Sequence, residues 1–473
     1  MKIRTRIAPS PTGIAHLGTA YTAMRNWALA KQSGGKFLIR IEDTDRERYV
    51  EGAVEVILSA LKWLGIDHDE GPDIGGPHLP YTQSERLDIY KKHAKELVNL
   101  GKAYYCFCSR ERLEEVRKKN LENKTLPRYD RHCRTLDPRS AELRVKAQES
   151  HVIRLKVPES GVTTCSDVIR GDVSWENSGL DDQVLQKSDG YPTYHLGVVV
   201  DDHLMGVTHI IRGEEWLSSS PKHILLYQAF GWELPIFAHL PVIRNKDKSK
   251  MSKRKNDVSI LSHRDRGYLP EAIMNFMALM GWSHPEKKEI FPVTDFVKYF
   301  SLERVTLTAP VYDIDKLNWL NGQYIRALND KELSSRLIPF IPSDCPKNLV
   351  SQLIPLVKER LVTLKDFEEL TKFFYRDIEV DHSLLHKKSN PEQVKEQLTE
   401  SIKIIEKISD SDMTAPRLEQ LFRTLASAHT WKPGQFFMML RIATTGQMAT
   451  PPLFDTMAVL GRKLVLKRLQ FLQ

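Results

Sequence analysis

The sequence predicts an α/β protein: a parallel-sheet domain split by an α+β insertion and followed by helical domains. Three observations predict it. The first forty or so residues read strand, loop, helix, strand. The same pattern resumes after an interruption of about eighty residues, and the last stretch is leucine-rich at helical spacing with few strand signals.

Taken in order, Ile3, Thr5 and Ile7 alternate with Arg4 and Arg6, as in a short strand. A loop containing Pro9, Pro11 and Gly13 follows. Residues 19–31 place Ala23, Met24, Trp27 and Ala30 at helical spacing, and Gly34-Gly35 stops that helix. Phe37, Ile39 and Ile41 alternate again before Glu42-Asp43-Thr44-Asp45. A unit of this kind argues a parallel sheet with ligands at the carboxyl ends of its strands. Helices are expected over 54–64 and over 85–100, the second capped by Ser84. Residues 104–187 read as the insertion, with a cysteine cluster, a basic helix over 110–119 and a strand-like run over 152–157. The α/β pattern resumes through 194–200, 209–212 and a helix after Ser220-Pro221. From 238 to 326 loops and helices alternate, including 271–280. The segment 329–473 is helical, with a basic face that includes Arg462, Lys463, Lys467 and Arg468.

A chain of 473 residues is too long for one core, so several domains are expected. The formal net charge of +8 admits nucleic acid or another polyanion as partner. Five scattered cysteines, an odd count without the spacing of a small secreted domain, fit a reducing compartment. The N-terminus lacks a signal-peptide core, and no apolar run approaches the roughly 20 residues of a membrane span. The expectation is a cytoplasmic enzyme with no membrane partner.

Two motifs carry the chemistry. Pro9-Ser10-Pro11-Thr12-Gly13-Ile14-Ala15-His16-Leu17-Gly18-Thr19 sets His16 between a strand and a helix, where backbone N–H groups and the helix dipole favour an anion. A preorganised imidazole donor there can meet charge that builds on an α-phosphate. Gly13 to Gly18 also has P-loop spacing, but Thr19-Ala20 follow where Lys-Ser/Thr is needed, which disfavours a Walker-type NTPase. The second motif is Lys248-Ser249-Lys250-Met251-Ser252-Lys253-Arg254. Lysines on a loop can neutralise the β and γ groups of a triphosphate as pyrophosphate leaves. Either motif alone fits a proline-rich turn or a solvated basic loop, since residues 246–255 hold six Lys/Arg. The order Lys-Met-Ser-Lys together with the upstream His-x-Gly tips the balance.

Together the two motifs resemble the HIGH-type and KMSK-type signatures of class I aminoacyl-tRNA synthetases. The stretches 4–19, 37–49 (FLIRIEDTDRERY), 71–86 (GPDIGGPHLPYTQSER), 187–216, 245–255 and 441–454 (RIATTGQMATPPLF) each resemble segments of bacterial-type glutamyl-tRNA synthetases, in order from end to end. The resemblance implies a class I Rossmann-type catalytic domain over 1–103 and 188–237, split by an acceptor-stem-binding insertion over 104–187. It implies a helical stem-contact domain over 238–328 that includes the KMSK-type loop, and an all-α anticodon-binding domain over 329–473.

The family implies activation of L-glutamate by ATP, with Mg2+ as the triphosphate's companion, then transfer to the terminal adenosine of tRNA-Glu. Carried over by motif position, Arg6 and Arg212 would grip the glutamate carboxylate, Glu42 would hold the α-ammonium, and Ser10 and Tyr194 would complete the pocket. His16, Gly18, Trp216, Lys250, Ser252 and Lys253 would surround ATP, with His16, Lys250 and Lys253 catalytic. Guanidinium matches carboxylate in a bidentate fork, and a buried carboxylate site rejects the amide of glutamine. Asp43 and Asp45 read as polar residues of the strand end rather than metal ligands. A monomer is expected. Rivals are an enzyme that also charges tRNA-Gln and, from a different class, a non-catalytic tRNA-binding protein, which would be expected to lose His16 or the lysine pair. A shortened paralogue that glutamylates a modified tRNA base is disfavoured because such proteins lack the C-terminal domain.

Cys106-x-Cys108, twenty-four residues and Cys133 resemble the zinc-binding insertion of some family members. Their fourth ligand falls here on Thr135, a poor zinc donor, and His132 is the nearest substitute. Zinc and a vestigial knuckle of reduced cysteines both stay open. Arg360, in KERLVTLKDF, falls where the family has an arginine that selects the glutamate anticodon, and Thr444 and Thr445 lie in a segment expected near the anticodon.

Overall fold

In the computed structural model, residues 2–125, 127–249, 251, 258–386 and 390–473 are described. The chain divides into two compact units, one of 1–263 with 273–313 and one of 264–272 with 314–473.

Among its described residues the first unit has nine strands: β1 (Arg4–Ile7), β2 (Lys36–Ile39), β3 (Ala103–Cys106), β4 (Val152–Leu155), β5 (Val162–Asp167), β6 (Gly171–Glu176), β7 (Val184–Gln186), β8 (His209–Gly213) and β9 (Ile236–Leu240). As the alternation predicts, β1 and β2 pair in parallel across the helix Leu17–Gln32. β8 and β9 are also parallel, and β9 lies between β8 and β5. The Thr208 N–H donates to the Arg4 carbonyl (2.9 Å), which sets the start of β8 beside β1. The insertion divides: β3, β4 and β7 make an antiparallel three-stranded sheet, whereas the hairpin β5–β6 extends the sheet of β8 and β9. Phe37, Leu38, Ile39, Ile210, Ile211 and Ala238 are at most 2% exposed, so both faces of the parallel strands are covered.

Several expectations shift by a few residues. The helix expected over 85–100 is Leu87–Asn99, and its N-terminal neighbour is Arg86 rather than Ser84. Residues Gln83–Glu85 form a 3-10 turn instead, and the Ser84 N–H donates to Asp43 Oδ1 (2.8 Å). The run over 194–200 is the start of a helix, Tyr194–Leu204. Residues 236–240 are a strand, which carries the sheet across the boundary drawn at 237.

The second unit has helices throughout its described residues, as the leucine spacing predicts. Its first part includes the helix Asp330–Leu337, whose N-terminus is closed by a reciprocal capping box between Asn329 and Glu332. Leu353, Phe367, Phe422, Phe436, Leu440 and Leu469 are wholly buried in one continuous core.

Candidate active site

A cavity of about 400 Å³ opens at the carboxyl ends of β1, β8 and β9, where a parallel sheet leaves room for ligands. Arg6 and Ile7 reach it from β1, Glu42 from beyond β2, Arg212 and Gly213 from β8, and Leu240 from β9. Ser10, His16, Gly18, Tyr194 and Trp216 line it too. Every cavity residue expected from the sequence that lies among the described residues is therefore brought together.

His16 is the N-cap of the helix Leu17–Gln32, and its Nδ1 accepts the Gly18 N–H at 3.0 Å. That bond leaves the ring proton on Nε2, the tautomer that donates to an anion at the helix start. A Cβ at Gly18 would lie 3.2 Å from His16 Nδ1, so a side chain there would press on the imidazole. Lys250, Ser252 and Lys253 lie outside the described residues. Their flanks are placed: Met251 lines the cavity, and Leu17 and Ile260 donate to the carbonyls of Val258 and Ala15 (2.8 and 3.1 Å).

The two arginines differ. Arg6 gives Nε and Nη2 to Asp202 at 3.1 and 3.2 Å, a bidentate ion pair with both partners buried. Arg212, 5% exposed, makes no ion pair among the described residues. All its partners are neutral: His239 Nε2 (3.0 Å), His223 Nδ1 (3.1 Å), Ser220 Oγ (3.1 Å), Tyr194 Oη (3.3 Å) and the Trp216 carbonyl (3.3 Å). A buried guanidinium without a counter-ion is costly, and an anionic ligand relieves that cost.

Glu42 accepts from Arg40 Nη2 at 3.2 Å, but Arg40 also serves Asp202 (2.8 Å) and Asp201 (3.5 Å). Burial therefore prevails, and it raises the Glu42 carboxyl from 4.5 to about 7. Tyr194 packs on the Trp216 ring, centroids 4.4 Å apart, which puts an aromatic wall beside Arg212. Arg48 was missed by sequence reasoning. It bonds to Asp45 Oδ2 (2.6 Å), both residues line the cavity, and their i,i+3 spacing inside the quoted motif was the available signal.

The three cysteines of the insertion's cluster do converge. The sulfurs of Cys106, Cys108 and Cys133 lie within 4.8 Å of one another, with Cys108 and Cys133 3.5 Å apart. His132 is exposed and does not join them. The fourth donor in reach is Tyr129: the Cys106 thiol and the Cys133 N–H donate to its Oη (3.3 and 2.9 Å), and Cys108 Sγ is 3.4 Å away. Three thiols and one phenol oxygen give the four donors that tetrahedral zinc takes, three of them of its usual type.

Residues 2–319 match the catalytic domain of class I tRNA synthetases (E and Q), and residues 332–472 match the anticodon binding domain family. The glutamate–tRNA ligase of Dehalococcoides mccartyi is 47% identical over 478 residues, which span 99% of this chain and 97% of the relative. The chain belongs to the class I tRNA synthetases for glutamate and glutamine. The Thermus thermophilus glutamate–tRNA ligase is 46% identical over 98% of both chains. The crystal structure of a glutamate tRNA ligase from Elizabethkingia meningosepticum in complex with its amino acid superposes with a TM-score of 0.91 at 34% identity. That match covers 100% of this chain and 99% of the other.

In the anticodon-binding domain of this synthetase, the helix Pro433–Thr445 carries two of the residues expected near the anticodon. Thr444 is wholly buried and its hydroxyl donates to the Leu440 carbonyl (2.7 Å); Thr445 is also buried and bonds to the Arg441 carbonyl (2.6 Å). Neither side chain is presented to a macromolecular partner. Arg468, placed on the basic face by its sequence, is buried and donates to the carbonyls of Thr444, Phe373 and Arg376. Arg360 is exposed.

Proposed function

We propose that the chain is a glutamate–tRNA ligase that activates L-glutamate with ATP and passes it to the 3'-terminal adenosine of tRNA-Glu. The observation that carries this reading is the buried guanidinium of Arg212, without a carboxylate partner, in the cavity that His16 also lines.

Arg212 takes the γ-carboxylate of glutamate, exchanging its two longest bonds, to Tyr194 and the Trp216 carbonyl, for stronger charge-assisted ones. Arg6 lines the same cavity, and its Nη1 makes no hydrogen bond among the described residues, so it can add one donor. Glu42, ionised, meets the α-ammonium. Ser10 and Tyr194 close the pocket. An uncharged glutamine leaves the Arg212 charge unmatched, and the site selects against it.

In the first step an α-carboxylate oxygen attacks the α-phosphorus and pyrophosphate leaves. His16 Nε2–H, already oriented by Gly18, donates to the charge that develops on the α-phosphate. Gly18 and Trp216 border the nucleotide. Lys250, Ser252 and Lys253 are assigned to the triphosphate on their order in the motif and on the placement of Met251 beside the cavity. Mg2+ accompanies the triphosphate and needs no cage of protein ligands. In the second step the ribose hydroxyl of the tRNA attacks the acyl carbon of the adenylate and AMP leaves.

The insertion over 104–187 is assigned to the acceptor stem, 238–328 to stem contact and 329–473, with Arg360, to the anticodon. Zinc, held by Cys106, Cys108, Cys133 and Tyr129, would clamp the insertion's knuckle. One chain carries both matched domains, so a monomer suffices for one tRNA. Five free cysteines, and no helix among the described residues long and apolar enough to cross a membrane, support a cytoplasmic setting.

The deciding experiment is aminoacylation with radiolabelled glutamate on purified tRNA-Glu and tRNA-Gln in parallel. Charging of tRNA-Glu alone supports the reading as stated. Charging of both widens the tRNA choice, and charging of neither overturns the function.

A further inference from the structure

The guanidinium of Arg212 rests on a layer of side chains to which the reaction above gives no part. His239, His223 and Ser220 are at most 1% exposed, and each accepts one of its N–H groups. These contacts determine where the imidazole protons are. Arg212 can only donate, so His239 Nε2 and His223 Nδ1 must both be bare acceptors. The proton of His239 is then on Nδ1, 2.6 Å from Asp167 Oδ2. The proton of His223 is on Nε2, 3.1 Å from His195 Nδ1.

Asp167 is itself fixed. Its Oδ1 accepts the backbone N–H groups of Ile169 and Arg170 at 2.9 and 2.8 Å, which leaves Oδ2 for His239. Burial, reinforced by the charge of Arg212, holds His223 and His239 below the ordinary histidine value, so both stay neutral acceptors. Neither Asp167 nor His239 lines the cavity.

We propose that Asp167, acting through His239, is a positioning residue that aims the Arg212 guanidinium into the cavity without neutralising it. A carboxylate placed directly on Arg212 would fix its direction but cancel the charge the pocket needs. An interposed neutral imidazole fixes the direction and leaves the charge for the ligand. His223 and Ser220 hold the other two nitrogens in the same plane. Asp167 ends β5, in the hairpin of the 104–187 insertion, and pairs in register with Phe237 of β9. A residue of the insertion thus reaches the amino-acid pocket through one imidazole. The proposal rests on the assignment of Arg212 to the substrate carboxylate.

Asp167→Asn is an isosteric test. The two backbone N–H groups on Oδ1 keep the amide oxygen where it is, so the NH2 group falls opposite His239 Nδ1. That forces the imidazole proton onto Nε2, where it points at the Nε–H of Arg212. In tRNA-dependent ATP–pyrophosphate exchange the KM for glutamate should rise about tenfold or more, the scale of one unsatisfied buried donor. The KM for ATP should not change. The 15N spectrum of labelled histidine should show the proton of His239 moved from Nδ1 to Nε2. His239→Gln, whose amide oxygen can accept from Arg212, should keep a KM for glutamate nearer to wild type than His239→Leu. This pair carries the test alone if Asp167→Asn does not fold, with thermal unfolding recorded for each variant.

Arg212→Ala separates the two levels. If it leaves the KM for glutamate unchanged, the pocket assignment falls and the positioning proposal with it. If it raises that KM while Asp167→Asn and His239→Leu do not, the positioning proposal alone is overturned. Equal rises in the KM for glutamate and for ATP would overturn it as well, because they mark a general structural effect.

Discussion

Arg6 and Asp202 form a bidentate buried pair at 3.1 and 3.2 Å, whereas Arg212, in the same cavity, faces only neutral acceptors. Stability and binding are therefore divided between the two arginines. Arg6→Ala leaves the buried Asp202 carboxylate with Arg40, at 2.8 Å, in place of two guanidinium partners and should cost up to about 3 kcal/mol in denaturant unfolding. Arg212→Ala removes an uncompensated cation and should cost less, while kcat/KM for glutamate falls about 100-fold or more. A larger stability loss for Arg212→Ala than for Arg6→Ala would contradict this division.

Glu42 makes activity and stability depend on pH in opposite senses. Its carboxyl is raised from 4.5 to about 7 by burial. Below pH 4.5 both folded and unfolded states hold the proton; between 4.5 and 7 only the folded state does, so stability falls as pH rises through that window. Above it the full penalty is present, of order a few kcal/mol. Glu42→Gln should therefore stabilise the protein more at about pH 8 than at about pH 5. In the wild type, kcat/KM for glutamate should rise with pH through about 7, because the carboxylate form meets the ammonium. A flat profile would remove Glu42 from that contact.

At the cysteine cluster, the oxygen of Tyr129 approaches the three sulfurs, whereas the spacing pointed to Thr135, with His132 as its substitute. Protein purified without chelator should carry one zinc per chain by elemental analysis. Tyr129→Phe and Cys133→Ser should lower zinc occupancy, and His132→Ala should not. Loss of zinc on His132→Ala with full retention in Tyr129→Phe would restore the histidine as ligand.

Local pattern revealed what is locally determined. The alternation of Ile3, Thr5 and Ile7, the His16 motif and the leucine spacing of the C-terminal unit each report on a few neighbouring residues, and each is realised. Contacts made by tertiary pairing were not legible. Asp167 and His239 are 72 residues apart and carry no motif, yet they meet at 2.6 Å because β5 and β9 are neighbours in the sheet. Tyr129 was passed over because a phenol is a rare ligand and nothing in the spacing marks it. Arg468 was misplaced on the basic face because a polar residue in an amphipathic helix looks exposed until the packing of the next helix is known, and the burial of Thr444 was hidden for the same reason.

That burial separates two residues first grouped together at the anticodon. The hydroxyl of Thr444 is satisfied inside its own helix at 2.7 Å, so Thr444→Val should leave the KM for tRNA-Glu unchanged. Arg360 is exposed and makes no ion pair among the described residues. It is also close enough to Arg441 for its charge to add to the burial that lowers that half-buried guanidinium. Two cations within electrostatic reach of each other attract a polyanion and favour an acceptor-rich base edge. Arg360→Gln should therefore reduce the preference for tRNA-Glu over tRNA-Gln by about tenfold, the effect of one lost base contact. Steady-state aminoacylation of the two tRNAs checks both substitutions. A change in tRNA choice with Thr444→Val but not with Arg360→Gln would reverse the assignment, since it would require a buried methyl-for-hydroxyl exchange to act where an exposed guanidinium does not.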